Sequence, residues 1–204
     1  MSLLSSSVSI TRYKVKGEIQ GSLLKTVMEG LNKNSIIEID NEAMEKTAGW
    51  TSFDNPYLPD FEASSCVIGA YFVFSLRIDK KSIPTKIIKK YYTIEVAKKL
   101  AESGREHLAR NEKKDIREHV TNALILRIPA TPNIYDIIWN YEESSLWFFS
   151  NQKAANEELE TLFSKSFRLS LIRLFPYTMA ELAAGITDRE RDLLSTISRT
   201  KFMD

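Results

Sequence analysis

The residues from Ser65 to Ile78 read SCVIGAYFVFSLRI. β-branched and aromatic side chains dominate this run, and they suit a pleated, half-buried surface better than a helix. The run predicts one strong strand, or two short paired strands broken near Gly69. Such a strand needs neighbours in a sheet and a second layer to cover it.

The texture changes immediately afterwards. Ser82-Ile83-Pro84 predicts the start of a helix, with proline tolerated in the first turn. Ile87, Tyr91, Ile94 and Leu100 carry the helical period to about Ser103, and Gly104 suits the C-terminal cap. A second helix is expected from about Asn111 to Leu126, with Ile116, Val120, Ala123 and Leu124 on one face. Around this helical hairpin the chain alternates between strand and helix signals. Val8 to Val15 and Ser35 to Ile39 are expected strands, with a helix from Gln20 to Asn32 between them. The stretch GWTSFDNPYLPD, with Pro56 and Pro59, predicts a loop. Ile134 to Trp139 and Leu146 to Phe149 flank a hairpin turn at Glu142 to Ser145. A helix from Asn151 to Phe167, a strand from Leu169 to Phe175, and a capping box at Thr187-Asp188-Arg189-Glu190 complete the pattern. The predicted class is α+β, a mixed or antiparallel sheet core with an inserted long helical hairpin. The expected division is an α/β core from residues 8–82 and 128–176, a basic hairpin at 83–127, and a helical tail at 177–204.

At 204 residues, 43% hydrophobic and 27% charged, the chain suits one domain, or one domain with a subdomain. Its start lacks a basic region followed by an apolar run, so no signal peptide is expected. No apolar stretch approaches the roughly 20 residues that span a bilayer. A single cysteine, Cys66, cannot form an internal disulfide, and a cytoplasmic, reducing location is expected.

The charge is uneven. Arg77 to Arg127 holds 14 Lys+Arg against 7 Asp+Glu, which leaves 14 against 20 elsewhere, although the whole chain is only +1. Lys86, Lys89 and Lys90 share one helical face by their spacing, as do Arg110, Lys113, Lys114 and Arg117. Two such faces on a hairpin could follow a phosphate backbone, with affinity steep in salt. Glu112, Asp115 and Glu118 are interleaved, so a salt-bridged, solvated face is the alternative. There is no zinc-finger spacing, RNP motif or recognisable helix-turn-helix, which favours backbone binding over base readout.

Several short motifs stand in a shared order. Gly49-Trp50 follows the expected second strand. Arg77-Ile78-Asp79-Lys80-Lys81-Ser82-Ile83-Pro84 forms the turn into the first long helix, and Gly104-Arg105 lies between the helices. Glu112-Lys113-Lys114 opens the second helix, and Leu124 to Arg127 closes it. In this order and spacing the chain resembles, from about Val8 to Pro176, the bacterial recombination-associated RdgC family, sometimes labelled as exonucleases. The resemblance implies a protein that binds duplex DNA with little sequence preference and restrains a RecA-type recombinase. It would do so as a ring-shaped homodimer with a positive hole, associated with the nucleoid. Family members run on beyond the point where this chain ends. Their Pro-Arg-Ala-Phe stands here as Leu126-Arg127-Ile128-Pro129, without an aromatic that helps close the ring.

The candidate DNA contacts are Arg77, Lys81, Lys86, Lys89, Lys90, Arg105, Arg110, Lys113, Lys114, Arg117 and Arg127. This reading requires no catalytic residue, metal or cofactor. Two alternatives compete with it. Pro59-Asp60 with Asp79-Lys80-Lys81 fits the loose pattern of Mg²⁺-dependent nucleases, in which Asp60 and Asp79 would hold the metal and Lys81 would orient water. A protein-interaction module that has lost DNA binding is the other. His107 and His119 are expected on helix surfaces, and Cys66 in the core. Most strand aromatics, among them Tyr71, Phe72, Phe74, Trp139, Trp147, Phe148 and Phe149, are expected inside, with one exposed set available to a dimer interface. Tyr91 is assigned to the apolar stripe of its helix; Tyr91 and Tyr92 could otherwise stack on DNA.

Overall fold

A computed structural model of the chain describes residues 3–61, 66–182 and 186–197. In chain order the elements are β1 (Thr11–Lys16), α1 (Leu23–Lys33), β2 (Lys46–Thr51), β3 (Val67–Ile68), β4 (Tyr71–Lys80), α2 (Thr85–Ser103), α3 (Arg110–Ile125), β5 (Thr131–Asn140), β6 (Ser145–Phe148), α4 (Lys153–Phe167), β7 (Ser170–Arg173), α5 (Pro176–Glu181) and α6 (Asp188–Thr196). The class is α+β, and every named strand pair is antiparallel. The strand order is β2-β4-β5-β6-β1-β7, with β3 hydrogen-bonded to the start of β4.

The SCVIGAYFVFSLRI run supplies β3 and β4 as a tight hairpin. Ile68 pairs with Tyr71 across Gly69, whose φ of 62° a side-chain-bearing residue would resist. β4 then runs beside β5 over its whole length, from Tyr71↔Asn140 to Lys80↔Thr131. Pro132 is tolerated in β5 because β6 begins pairing only at Ile137, so the proline sits where β5 has a single neighbour.

The two-residue period sorts each strand into an inner and an outer face. Phe72, Phe74, Leu76 and Ile78 of β4 join Tyr135, Ile137, Trp139, Leu146, Phe148, Tyr13 and Val15 in one apolar core. Helices α1 and α4 cover it with Val27, Leu31, Leu159, Phe163 and Phe167. At its centre the Trp139 ring meets Phe163 edge-on at 5.0 Å, and Phe163 meets Phe167 the same way at 4.8 Å. Edge-to-face pairs of this kind add about 0.5–1.5 kcal/mol each beyond their buried area.

A second apolar cluster belongs to the hairpin. Ile88, Tyr92, Val96 and Leu100 of α2, with Ile83, pack on Leu108, Ile116, Val120 and Leu124. Of the expected stripe of α2 only Leu100 packs here, and the other places are taken by Ile88, Tyr92 and Val96. Ile87, Tyr91 and Ile94 point to solvent. Both sets satisfy the helical period, and only the position of α3 decides between them.

Ser35 to Ile39 does not form the expected second strand. It makes one parallel bridge, Ser35 to Trp50, and the strand is instead β2, which contains the expected loop residues Gly49-Trp50-Thr51. The reason is packing. Trp50 is fully buried, and the backbone of Ile36 lies directly over Gly49, where a Cβ would collide with it. The short helix α5, with its proline in the first turn, follows directly on the last strand and opens the expected helical tail. The Thr187 capping box opens α6 as expected, with the Glu190 carboxylate accepting from the Thr187 N–H at 2.8 Å.

Gly49→Ala is expected to lower stability by about 1–3 kcal/mol, because backbone rather than a mobile side chain must move. Thermal unfolding should show a fall of roughly 2–4 °C per kcal/mol for a chain of this size; an unchanged midpoint would contradict the close approach of Ile36.

Candidate nucleic-acid interface

The hairpin places its cations unevenly. Lys89 of α2 and Lys113, Lys114 and Arg117 of α3 line one groove of about 480 Å³, with Thr85, Ile88 and Tyr92 between them. Each of the four cations is exposed, and among the described residues no carboxylate lines this groove. Lys86 is also exposed and stands three residues before Lys89, on the same flank. The opposite flank differs in kind. Glu95, Lys98, Lys99, Glu102, Asp115 and His119 line it, so opposite charges alternate there. The interleaved acids of the sequence are thus largely segregated from the cationic groove by the helical period.

Tyr92, buried on one side by α3, forms part of the groove wall, while Tyr91 faces solvent with the Lys90 ammonium 5.5 Å from its ring centre. Arg110 and Arg127 are exposed near the two ends of α3. Arg105 is exposed but engaged: its guanidinium donates to Glu112 at 2.7 Å. Glu112 also accepts the Ala109 N–H at 2.9 Å and so caps α3. Those two hydrogen bonds, Arg105 first, hold the Glu112 carboxyl below its usual range. Lys114 and Glu118 form an exposed pair one turn apart at 3.6 Å, of a kind that contributes little.

Two of the candidate contacts are not surface groups. Arg77 is buried, and its guanidinium donates to both Asp79 oxygens, at 2.8 and 2.6 Å, and to Glu38 at 2.8 Å. It also lies over the Tyr57 ring at 5.8 Å. Burial works against the Arg77 charge, but Asp79 and Glu38 outweigh it and its pKa moves up. Lys81 is buried as well. Its ammonium donates to the carbonyls of Asp40, Glu42 and Ile125 at 2.9, 2.7 and 2.9 Å, which uses all three of its protons. Lys81 holds the base of the hairpin through Ile125, Arg77 ties β4 to the Glu38 segment and the Pro56 loop, and both cations are spent on these internal partners.

The same hydrogen bonds bear on the nuclease pattern. Asp79 is fully buried with both oxygens on Arg77, Lys81 has no proton to spare for orienting water, and Asp60 lies in the loop after β2. Among the described residues no group of three His, Cys, Asp or Glu side chains could hold a metal ion. His107 and His119 are exposed on or beside the hairpin, and Cys66 is buried in the core. No described helix is long and apolar enough to cross a membrane.

An antiparallel sheet under two helices, carrying a long hairpin with one cationic flank, defines an α+β protein with an outward basic surface. A family model described as "Putative exonuclease, RdgC" matches residues 9–185, and the chain belongs to that family. Comparison with the curated proteins gave no match.

Asp79→Ala would leave the Arg77 guanidinium buried without its main partner and should cost about 3–5 kcal/mol of stability. The urea midpoint should fall accordingly, and an unchanged midpoint would contradict the buried pair.

Proposed function

We propose that the protein binds duplex DNA without sequence preference through the cationic groove of the α2–α3 hairpin. The observation that carries this reading is the convergence of Lys89, Lys113, Lys114 and Arg117 on one groove lined by no carboxylate among the described residues, in a chain of the RdgC family. Lys86, Lys90, Arg110 and Arg127 extend the positive surface. Lysine and arginine neutralise phosphates and release counterions, so binding is electrostatic and insensitive to base identity. Function follows from occupancy: duplex covered by the protein is not free for a recombinase filament of the RecA type. A homodimer would double the cationic surface on one duplex. No proton transfer or bond cleavage is part of this reading, and cleavage activity would require ligands other than the buried Asp79 and Lys81.

Fluorescence anisotropy of a labelled duplex, titrated over several salt concentrations with and without Mg²⁺, tests it. The logarithm of affinity should fall linearly with the logarithm of salt, and the DNA should stay intact in both conditions. Lys113→Glu with Lys114→Glu should weaken binding and reduce the slope by about one for each phosphate no longer neutralised. Lys98→Glu with Lys99→Glu, on the mixed flank, should change affinity far less. Equal losses from the two pairs would sink the groove, and Mg²⁺-dependent shortening of the duplex would favour a nuclease.

A further inference from the structure

The outer face of the sheet is covered near the hairpin and at its middle, where the Leu3 N–H donates to the buried Asp136 carboxylate at 2.6 Å. Near the hairpin, the loop carrying Pro56 and Tyr57 closes over Arg77, and Glu38 reaches it from the segment after α1. At the other end, the start of β4 and the β5–β6 hairpin leave a groove of about 250 Å³, bounded on one side by Leu3 and lined by Ile68, Tyr71, Ile138 and Trp147, with Val73 and Asn140 buried at its floor. Trp147 is 45% exposed, Tyr71 44% and Ile68 56%. Trp50 and Trp139 are both fully buried, so Trp147 is the one indole of the three that meets water. One exposed apolar residue is ordinary; three around a single groove form a patch.

Beside this patch runs β1, TRYKVK. Its inward residues, Tyr13 and Val15, belong to the core, and its outward residues are Arg12, Lys14 and Lys16, all exposed. The register places Arg12 directly opposite Trp147, and Lys14 opposite Ser145. The Lys14 ammonium is held at the patch by the Glu143 carbonyl, 3.0 Å away, and the Arg12 guanidinium lies beside Met179. Three cations therefore stand in a row, two residues or about 7 Å apart, along the edge of an aromatic surface.

We propose that this face is a second nucleic-acid site, one that takes single strands by stacking unpaired bases on Trp147 and Tyr71 while Arg12, Lys14 and Lys16 follow the phosphates. The charge row selects an anionic, extended partner, and the aromatic rings select one with accessible planar faces. A duplex keeps its base faces stacked on one another, so only an unpaired strand satisfies both. Ser145 and Glu143 at the groove offer polar partners for base edges, while Asn140 is buried and accepts the Glu143 N–H. The site is independent of the hairpin groove: the length of β4, about 30 Å, separates Tyr71 from the hairpin's base at Lys80.

Intrinsic tryptophan fluorescence reads this site selectively, because stacking would quench the one exposed indole. The full chain is titrated with oligothymidylate, oligouridylate, an abasic strand of equal length and a duplex. Either single strand should quench the emission and bind more tightly than the abasic strand, and the tighter of the two identifies DNA or RNA as the ligand. Trp147→Ala should weaken single-strand binding about tenfold, the scale of one base–aromatic stack. Trp147→Phe should recover much of it, and duplex affinity should not change in either variant. Lys113→Glu with Lys114→Glu should do the converse, so failure of the hairpin reading and failure of this one are distinguishable. Binding of the abasic strand as tightly as oligothymidylate, or single-strand affinity unmoved in Trp147→Ala, would overturn the proposal. So would no single-strand binding at low salt.

Discussion

A buried ammonium joins the two parts of this molecule. Lys81 follows the last residue of β4, and its three protons reach the carbonyls of Asp40 and Glu42 before β2 and of Ile125 at the end of α3. The two helices have a small apolar cluster of their own, and the Ala130 N–H, donating to Asp40 at 2.8 Å, adds a second tie where the chain leaves them. Arg77, on the outer face of the same strand, ties Asp79, Glu38 and the Pro56 loop together in a second charged cluster. Charged groups buried this way are costly unless fully partnered, and here each is. The direction in which the hairpin leaves the sheet depends on that partnering.

The hairpin's surface chemistry follows from its period. A helix separates by flank what the sequence interleaves, so Lys113, Lys114 and Arg117 reach one groove while Asp115 and His119 reach the other. A segment that is mixed in composition thereby becomes one-sided in space. The strand does the same with a shorter period. TRYKVK is half core and half cation, and its alternation places Arg12, Lys14 and Lys16 together on the outer face.

Much of the architecture was legible because the signals were local. The β4 run, Gly69, the Pro84 and Gly104 boundaries of α2, the β5–β6 hairpin and the Thr187 cap each depend on a few neighbouring residues. Sequence and structure part where two local patterns are equally good. Ser35 to Ile39 has strand composition, but Gly49-Trp50 wins the place beside β4, because its indole fills the core and its glycine admits the Ile36 backbone. Tyr91 and Tyr92 both fit a helical stripe, and α3 chose Tyr92. For the candidate site the divide was burial. Arg77 and Lys81 carry the same charge as Lys89 and Lys113, and nothing within the motif shows that two of them face inward. The row on β1 lay outside the basic segment, and its signal was the strict alternation within TRYKVK.

By itself the sequence determined most of the elements, though not β2, together with the α+β class, the basic character of the segment between Arg77 and Arg127, and the motif order shared with the RdgC family. These are carried by residue type and short-range periodicity, which do not depend on distant parts of the chain. Only the tertiary structure decided which cations are struts and which are surface, which stripe of α2 is packed, and which tryptophan meets water. Those outcomes depend on what lies across from each residue, and that is set by pairings between segments far apart in the chain.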